Sequence, residues 1–320
     1  MRLIYLDTSN LILLSKVNEN RKDQFEAFLT NWKTTGCVLA LSQINLIELL
    51  KASHESTRKA HFNLLSSFIP FTYDSANFFE KELVLTLFKL GFLETDLDLD
   101  TDMESLNFFS TVVGNLVDFS TVYNSINLIS RSGLFRLLST AQRFSWKAKS
   151  PARFNSSPKP RLSDMDKSLW GRLIKRIYLR FTGMAAGQEN DRTTWESSLD
   201  EFKFKVQIQS ILKRRFEIKD TGMAKTILNS VTVEDCKGLW LRQEVEKNLI
   251  KAGSSDYRND YDLDSLQYLP YVDLLIADKR IVEVAQQVLR RKNLPDSIKG
   301  IFPPKKVSNS IEALERILFQ

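Results

Sequence analysis

The chain has 320 residues, 43% of them hydrophobic, enough for a sizeable core, which excludes a globally disordered polymer. Its two cysteines, Cys37 and Cys236, lie far apart without metal spacing, which argues against a disulfide framework or a zinc site and fits a reducing compartment. The net charge of +6 is uneven: residues 131–220 hold 20 Lys and Arg against 9 Asp and Glu, and the remainder holds 25 against 30.

A basic middle beside an acidic remainder suggests that one part handles a polyanion while another does chemistry, although a solvated helical surface would share the composition. Only four apolar residues separate Met1-Arg2 from Asp7, too few for a secretory leader. No apolar run approaches the ~18 residues of a membrane helix. The expectation is a soluble cytoplasmic protein with no membrane attachment.

The stretch RLIYLDTSNLILL, from Arg2 to Leu14, sets the pattern. Leu3 to Leu6 is long enough for a buried strand and too short for a helix core. It ends on Asp7, and Asp7-Thr8-Ser9-Asn10 then cap an apolar run, Leu11 to Leu14, that reads as helix. A carboxylate at the C-terminal end of a buried parallel strand stands where open α/β sheets place their ligands, the alternative being a plain cap or turn residue. Phe25, Phe28, Leu29 and Trp32 give helical spacing over Glu19 to Lys33, ended by Thr34-Thr35-Gly36. Cys37 to Leu41 is a second strand. Ser42 is a good N-cap for the mostly apolar helix QINLIELLKAS, which contains Glu48. Ser56 to Phe68 is another helix and Ile69 to Tyr73 a third strand. Residues 1–75 thus read β-α-α-β-α-α-β, which points to a parallel sheet.

From about residue 75 the pattern changes. Phe78 to Leu90 is an amphipathic helix. The run ETDLDLDTDME, Glu94 to Glu104, holds six acids in eleven residues; a solvated loop feeding a helix is the preferred reading over a divalent-ion site or a nucleic-acid mimic, and the EF-hand spacing is absent. Residues 105–145 look helical, and Ser145 to Pro160 reads as an exposed linker. Leu169 to Phe181, Phe202 to Ile218 and Lys237 to Lys251 carry helical periodicity and many charges. Trp146, Trp170, Trp195 and Trp240 all fall in this block, where Trp is usually core, though Trp146 among basic residues could stack on a base. The α/β pattern then resumes: a helix-like stretch from Asn259 to Pro270, a strand Leu274 to Ala277 bracketed by Asp273 and Asp278, a helix Lys279 to Arg291, a strand Ile298 to Phe302, and a last helix IEALERILF capped by Ser308.

Three distant segments therefore deliver acids at element ends: Asp7, Glu48, and the group Asp262, Asp264, Asp273 and Asp278. His54 and His61, the only histidines, read as surface residues. Carboxylates without histidine suit hard cations such as Mg²⁺ or Mn²⁺, which activate water and stabilise charge in an in-line attack on phosphate.

These residues carry a resemblance. LIYLDTSN at 3–10, LSQINLIELLK at 41–51 and DLDSLQYLPYVDLLIADKRI at 262–281 make the chain similar to PIN-domain ribonucleases. The resemblance implies a PIN-like three-layer α/β/α fold with a central parallel sheet, built from residues 1–75 and 258–320 and interrupted by a mostly helical insertion at 76–257. It implies a catalytic set of Asp7, Glu48, Asp262 and Asp278 holding Mg²⁺ or Mn²⁺, with Asp264 competing with Asp262 as the third acid. Asn10 and Asp273 would be supporting residues. Ala277 stands where many relatives have Thr, and Ser265 where related sequences often have His. The implied function is a metal-dependent endoribonuclease, the alternatives being a structure-selective DNA nuclease or a non-catalytic module for nucleic acid or protein. Arg172, Lys175, Arg176 and Arg180 in the basic block are the expected phosphate contacts, RNA the expected partner, and a homodimer is left open.

Overall fold

Leu3–Leu6 and Leu274–Ala277 are apolar or aromatic at every position, as suits strands covered on both faces. They pair with each other in parallel, Ile4 opposite Leu274 and Leu6 opposite Ile276. The structure, a computed structural model, describes residues 2–50, 52, 54–68, 71–74, 78–92, 204–212, 221–251 and 260–320. In it, β1 (Arg2–Leu6), β2 (Cys37–Ser42), β3 (Phe71–Asp74), β4 (Leu274–Ala277) and β5 (Lys305–Lys306) form one parallel sheet of order β3-β2-β1-β4-β5. The two ends of the sequence thus fold as one sheet. Asp273 fixes their register: its carboxylate accepts from the Leu3 N–H, and its own N–H donates to the Leu3 carbonyl at 2.9 Å.

Alternate strand residues face opposite ways. Ile4, Leu6, Leu39, Leu41, Leu274 and Ile276 turn to one side, into a core completed by helices α1 (Thr8–Asn20), α2 (Lys22–Thr34), α3 (Gln43–Leu50), α4 (Glu55–Ser67) and, at the C-terminal end, Ile311–Phe319. Phe25, Phe28, Trp32 and Phe68 meet there edge to face. On the other side Tyr5 stacks on Tyr268, ring centroids 5.2 Å apart. Tyr268 belongs to a tight 3₁₀ segment, Leu266–Tyr271, against which helix Lys237–Lys251 packs. Among the described residues no helix is long and apolar enough to cross a membrane.

The chain divides into two compact units, Met1–Ser145 with Glu234–Gln320, and Trp146–Val233. Helices Phe78–Lys89 (α5) and Lys237–Lys251 (α6), assigned from sequence to the insertion, thus belong with the sheet. Their link is Glu82, which has no exposure to solvent. Its carboxylate accepts from the backbone N–H groups of Gly238 and Leu239 (2.5 and 3.0 Å) and from the Tyr271 hydroxyl (2.6 Å). The first turn of α6 supplies donors that have no partner within the helix, and the helix dipole favours an anion there. Burial outweighs these hydrogen bonds and pushes Glu82 up to about 7. The described part of the second unit is helical, at 204–212 and Thr221–Ser230, with Ile208 and Ile227 fully buried.

Three local expectations are corrected. The strand read at Ile298 to Phe302 lies instead at Lys305–Lys306. Gly300, at φ 89, breaks the extended run, and Ile298 fills the core from a 3₁₀ turn. The last helix is capped by Ser310, whose hydroxyl accepts from Ala313 N–H, while Ser308 holds Ser310 from outside. His61 is buried, with Nδ1 3.1 Å from the Leu49 carbonyl, because the apolar face of α4 carries it inward.

Replacing Glu82 by Ala removes the carboxylate to which three buried groups donate. The substitution should cost roughly 4 kcal/mol, read as a lower urea midpoint at unchanged slope.

Candidate metal centre

In a β3-β2-β1-β4-β5 sheet the chain winds outward in one direction from β1 and in the other from β4. The crevice beyond the C-terminal ends of these two strands is therefore the switch point where open α/β sheets bind ligands. Asp7 directly follows β1 and Asp278 directly follows β4, so they flank that crevice about one strand spacing, ~4.8 Å, apart along the sheet. Each also opens a helix. Asp7 caps α1, accepting from Thr8 N–H (2.7 Å) and from the Ser9 hydroxyl (2.8 Å). Asp278 caps helix Lys279–Leu289 (α8), accepting from Arg280 N–H at 2.9 Å. Two helix N-termini thus turn their positive ends toward the crevice. Asp7 is only 8% exposed, and its carboxyl sits above the usual range, chiefly through burial and secondarily through the charge of Asp278.

The other two acids arrive from helices. Glu48 lies in α3, and the Thr8 hydroxyl donates to its Oε2 at 2.5 Å. Asp262 lies in a short helix, Asp260–Ser265 (α7), half-buried. Its carboxyl is pushed up to about 7 by burial and then by the charges of Asp7, Glu48 and Asp278. The charges of three acids distant in sequence, Asp7, Glu48 and Asp278, thus bear on Asp262.

Asp264, the competitor of Asp262, is engaged differently. Its Oδ1 accepts from Arg242 Nε (2.6 Å) and from Gln267 Nε2 (3.1 Å), which ties α7 to α6. The remaining candidates have structural partners. Asp273 lies at the opposite end of β4 from Asp278 and serves the strand register. Asn10 is fully buried on α1; its Oδ1 accepts from Ser308 N–H at 3.3 Å, and its Nδ2 has no partner among the described residues. Arg172, Lys175, Arg176 and Arg180 lie outside the described residues, as do the acidic run at 94–104 and Trp146, Trp170 and Trp195; Trp240 is buried.

Beneath the acids runs a polar network that the sequence reading did not single out. The Tyr5 hydroxyl and Ser42 hydroxyl share a hydrogen bond of 2.9 Å. Asn45 Oδ1 accepts from Ser42 N–H and hydroxyl (3.0 and 3.1 Å), and its Nδ2 donates to the Leu6 carbonyl and to Thr8 Oγ1 (3.2 and 3.3 Å). Thr8 in turn holds Glu48. The signal was present: Asn45 and Glu48 are three residues apart in the mostly apolar run QINLIELL, which puts them on one face of a helix, and Ser42 stands three residues before Asn45. Buried polar side chains with every bond made fix orientation, so this chain of contacts sets where Glu48 can reach.

Among the described residues no group of three or more His, Cys, Asp or Glu side chains is gathered closely enough to hold a metal ion as it stands. The carboxylates of Asp7, Glu48 and Asp278 are near enough for their charges to add to the effect of burial on Asp262. Their chemistry fits a hard divalent cation: oxygen donors only, on helix ends and a strand end, with charge to be neutralised.

The electrostatics give a signed prediction. A carboxyl whose folded pKa is raised contributes stability below its unfolded pKa, and that contribution is lost as pH rises through the folded value. In EDTA, Asp262→Asn should therefore be more stable than wild type at pH 8 by about 2 kcal/mol after solvent screening, read as a higher Tm, and the gap should close below pH 4. Mn²⁺ should raise the wild-type Tm and should do so less for Asp262→Asn than for Asp264→Asn.

The chain matches no protein-family model, no curated protein and no solved structure.

Proposed function

We propose that the chain is a divalent-metal-dependent nuclease with a PIN-like fold, hydrolysing phosphodiester bonds of RNA. What supports this reading is that Asp7 and Asp278 directly follow the paired strands β1 and β4 at the sheet's switch point, and that Asp262 is pushed up to about 7 by burial first and then by the charges of Asp7, Glu48 and Asp278. Such crowding is costly in a protein that only needs to fold, and perturbed carboxyls in a cleft are characteristic of working sites.

In this reading Asp7, Glu48, Asp262 and Asp278 hold Mg²⁺ or Mn²⁺. The ion, when bound, lowers the pKa of water and neutralises charge building on the phosphate. The chain's own residues do the rest. Ser9 and the N-termini of α1 and α8 keep Asp7 and Asp278 aimed into the crevice. Thr8, held by Asn45, orients Glu48. Asp262 exchanges a proton near neutral pH, so the affinity for the ion rises with pH until that proton is gone. RNA is favoured over DNA by the resemblance of the three stretches at 3–10, 41–51 and 262–281, and the assay separates the two.

Purified chain should cleave labelled single-stranded RNA with Mn²⁺ and not with EDTA; matched single-stranded DNA and duplexes test the substrate. Asp7→Asn keeps volume while removing a charge and a ligand, and should reduce cleavage about a hundredfold or more, since even partners behind the ligands cost 10–100-fold in such sites. Thr8→Val should lower it by roughly tenfold. Full cleavage by Asp7→Asn, freed of host nucleases, would rule the mechanism out.

A further inference from the structure

Beside Asp278 lies a strip of surface that the carboxylate chemistry does not use. It begins at Lys279 and Arg280, both exposed in the first turn of α8. It continues onto β5, the last strand of the sheet, where Lys305 and Lys306 are exposed opposite Ile276 and Ala277. Lys306 pairs with Glu283 at 2.9 Å, one helical turn beyond Lys279, so the lysines of α8 and β5 lie side by side. Two cations, Lys306 and Lys279, thus act on one acid, with Lys305 and Arg280 next to them in the chain. The strip ends on Phe302, which is 76% exposed and the most exposed of the large hydrophobic side chains among the described residues.

The backbone between them is stiff. Gly300 turns the chain at φ 89, and Pro303 and Pro304 follow Phe302 with φ restricted. The Pro304 carbonyl is held by Gln286 Nε2 of α8 at 2.9 Å. Lys306 lies four residue steps after Phe302, at most about 14 Å of chain. Lys306 stands beside Ala277, one strand spacing of ~4.8 Å away. Phe302 is therefore within roughly 20 Å of the Asp278 backbone. Lysines and prolines also keep a sheet edge from pairing with another strand, which would account for 303–306 alone. It does not account for an aromatic ring held in water on a rigid stem.

We propose that this strip is the track by which a single-stranded nucleic acid reaches the carboxylate crevice, with Lys279, Arg280, Lys305 and Lys306 against its phosphates and Phe302 stacked on a base. The assignment rests on the nuclease reading for what happens at the crevice, but not for binding. Cations spaced along an edge track a backbone, and a single exposed ring stacks on any unpaired base without reading its identity.

The test is fluorescence anisotropy of a labelled, unstructured ~16-nucleotide RNA with the full chain in EDTA, where no cleavage occurs. Phe302→Ala should weaken binding by about tenfold. Lys305→Gln with Lys306→Gln should flatten the dependence of log affinity on log salt by about 1.4, some 0.7 per phosphate contact. Lys33→Gln, an exposed lysine of α2, should change neither. A duplex of the same sequence should be insensitive to Phe302→Ala, because its bases are not available to stack. Unchanged affinity and slope in the strip variants would overturn the track, as would an equal loss for duplex and single strand. Loss of self-association by Phe302→Ala without loss of RNA binding would assign the ring to a contact between copies and overturn it likewise. Wild type that binds RNA here yet does not cleave it with Mn²⁺ would instead sink the nuclease reading and leave the track standing.

Discussion

The pairing of β1 with β4 is the contact on which the rest depends. Leu3 and Asp273 lie 270 positions apart, yet the Asp273 carboxylate and N–H grip both backbone groups of Leu3. Closing so long a loop is entropically costly, although the cost grows only slowly with length. Two strands apolar on both sides, each covered by helices, supply burial on the scale needed to offset it. Because side-chain direction alternates along a strand, a slip by one residue would turn Ile4 and Leu6 out of the core they share with Leu274 and Ile276. The hydrophobic pattern and the Asp273 clamp thus impose the same register, and that register places Asp7 and Asp278 side by side.

The fold therefore concentrates negative charge where it is least comfortable. Burial and three neighbouring acids lift Asp262, while Asp7 is sheltered by Ser9 and the amide of Thr8 yet still sits high. A helix N-terminus offsets part of such repulsion, typically a fraction of a kcal/mol to about 2 kcal/mol, and cannot remove it. By contrast Asp264, two residues from Asp262, is neutralised by Arg242. Adjacent carboxylates on one short helix thus have opposite fates, one anchoring α7 to α6 and the other loaded against its neighbours.

Much of this was legible in the sequence. The parallel α/β architecture, the strands at 3–6, 37–41 and 274–277, and the acids at their ends follow from short apolar runs that end on Asp or lead into capped helices. What was not legible has physical reasons. Periodicity cannot distinguish an apolar run that becomes a strand from one that becomes a buried 3₁₀ turn, which is why 298–302 was misread. Helices α5 and α6 looked like part of the insertion because amphipathicity reveals that a helix has a buried face and not what covers it; the Glu82 bonds to Gly238, Leu239 and Tyr271 are tertiary facts. The Ser42-Asn45-Glu48 spacing was visible, but the partners on Tyr5 and Thr8 required β1 and β2 to be neighbours.

The separation of β1 from β4 also bears on how the crevice comes into being during synthesis. Asp7 and Glu48 are made early, and β1 can pair with β2 as soon as both have emerged. Its other edge must wait for residues 274–277. A nascent chain therefore carries half of the acidic set on an unfinished sheet with an open central edge, exposed to mispairing for as long as the intervening residues are being translated. The carboxylate cluster is a late property of the polypeptide, so synthesis itself delays the moment at which the chain presents the full set.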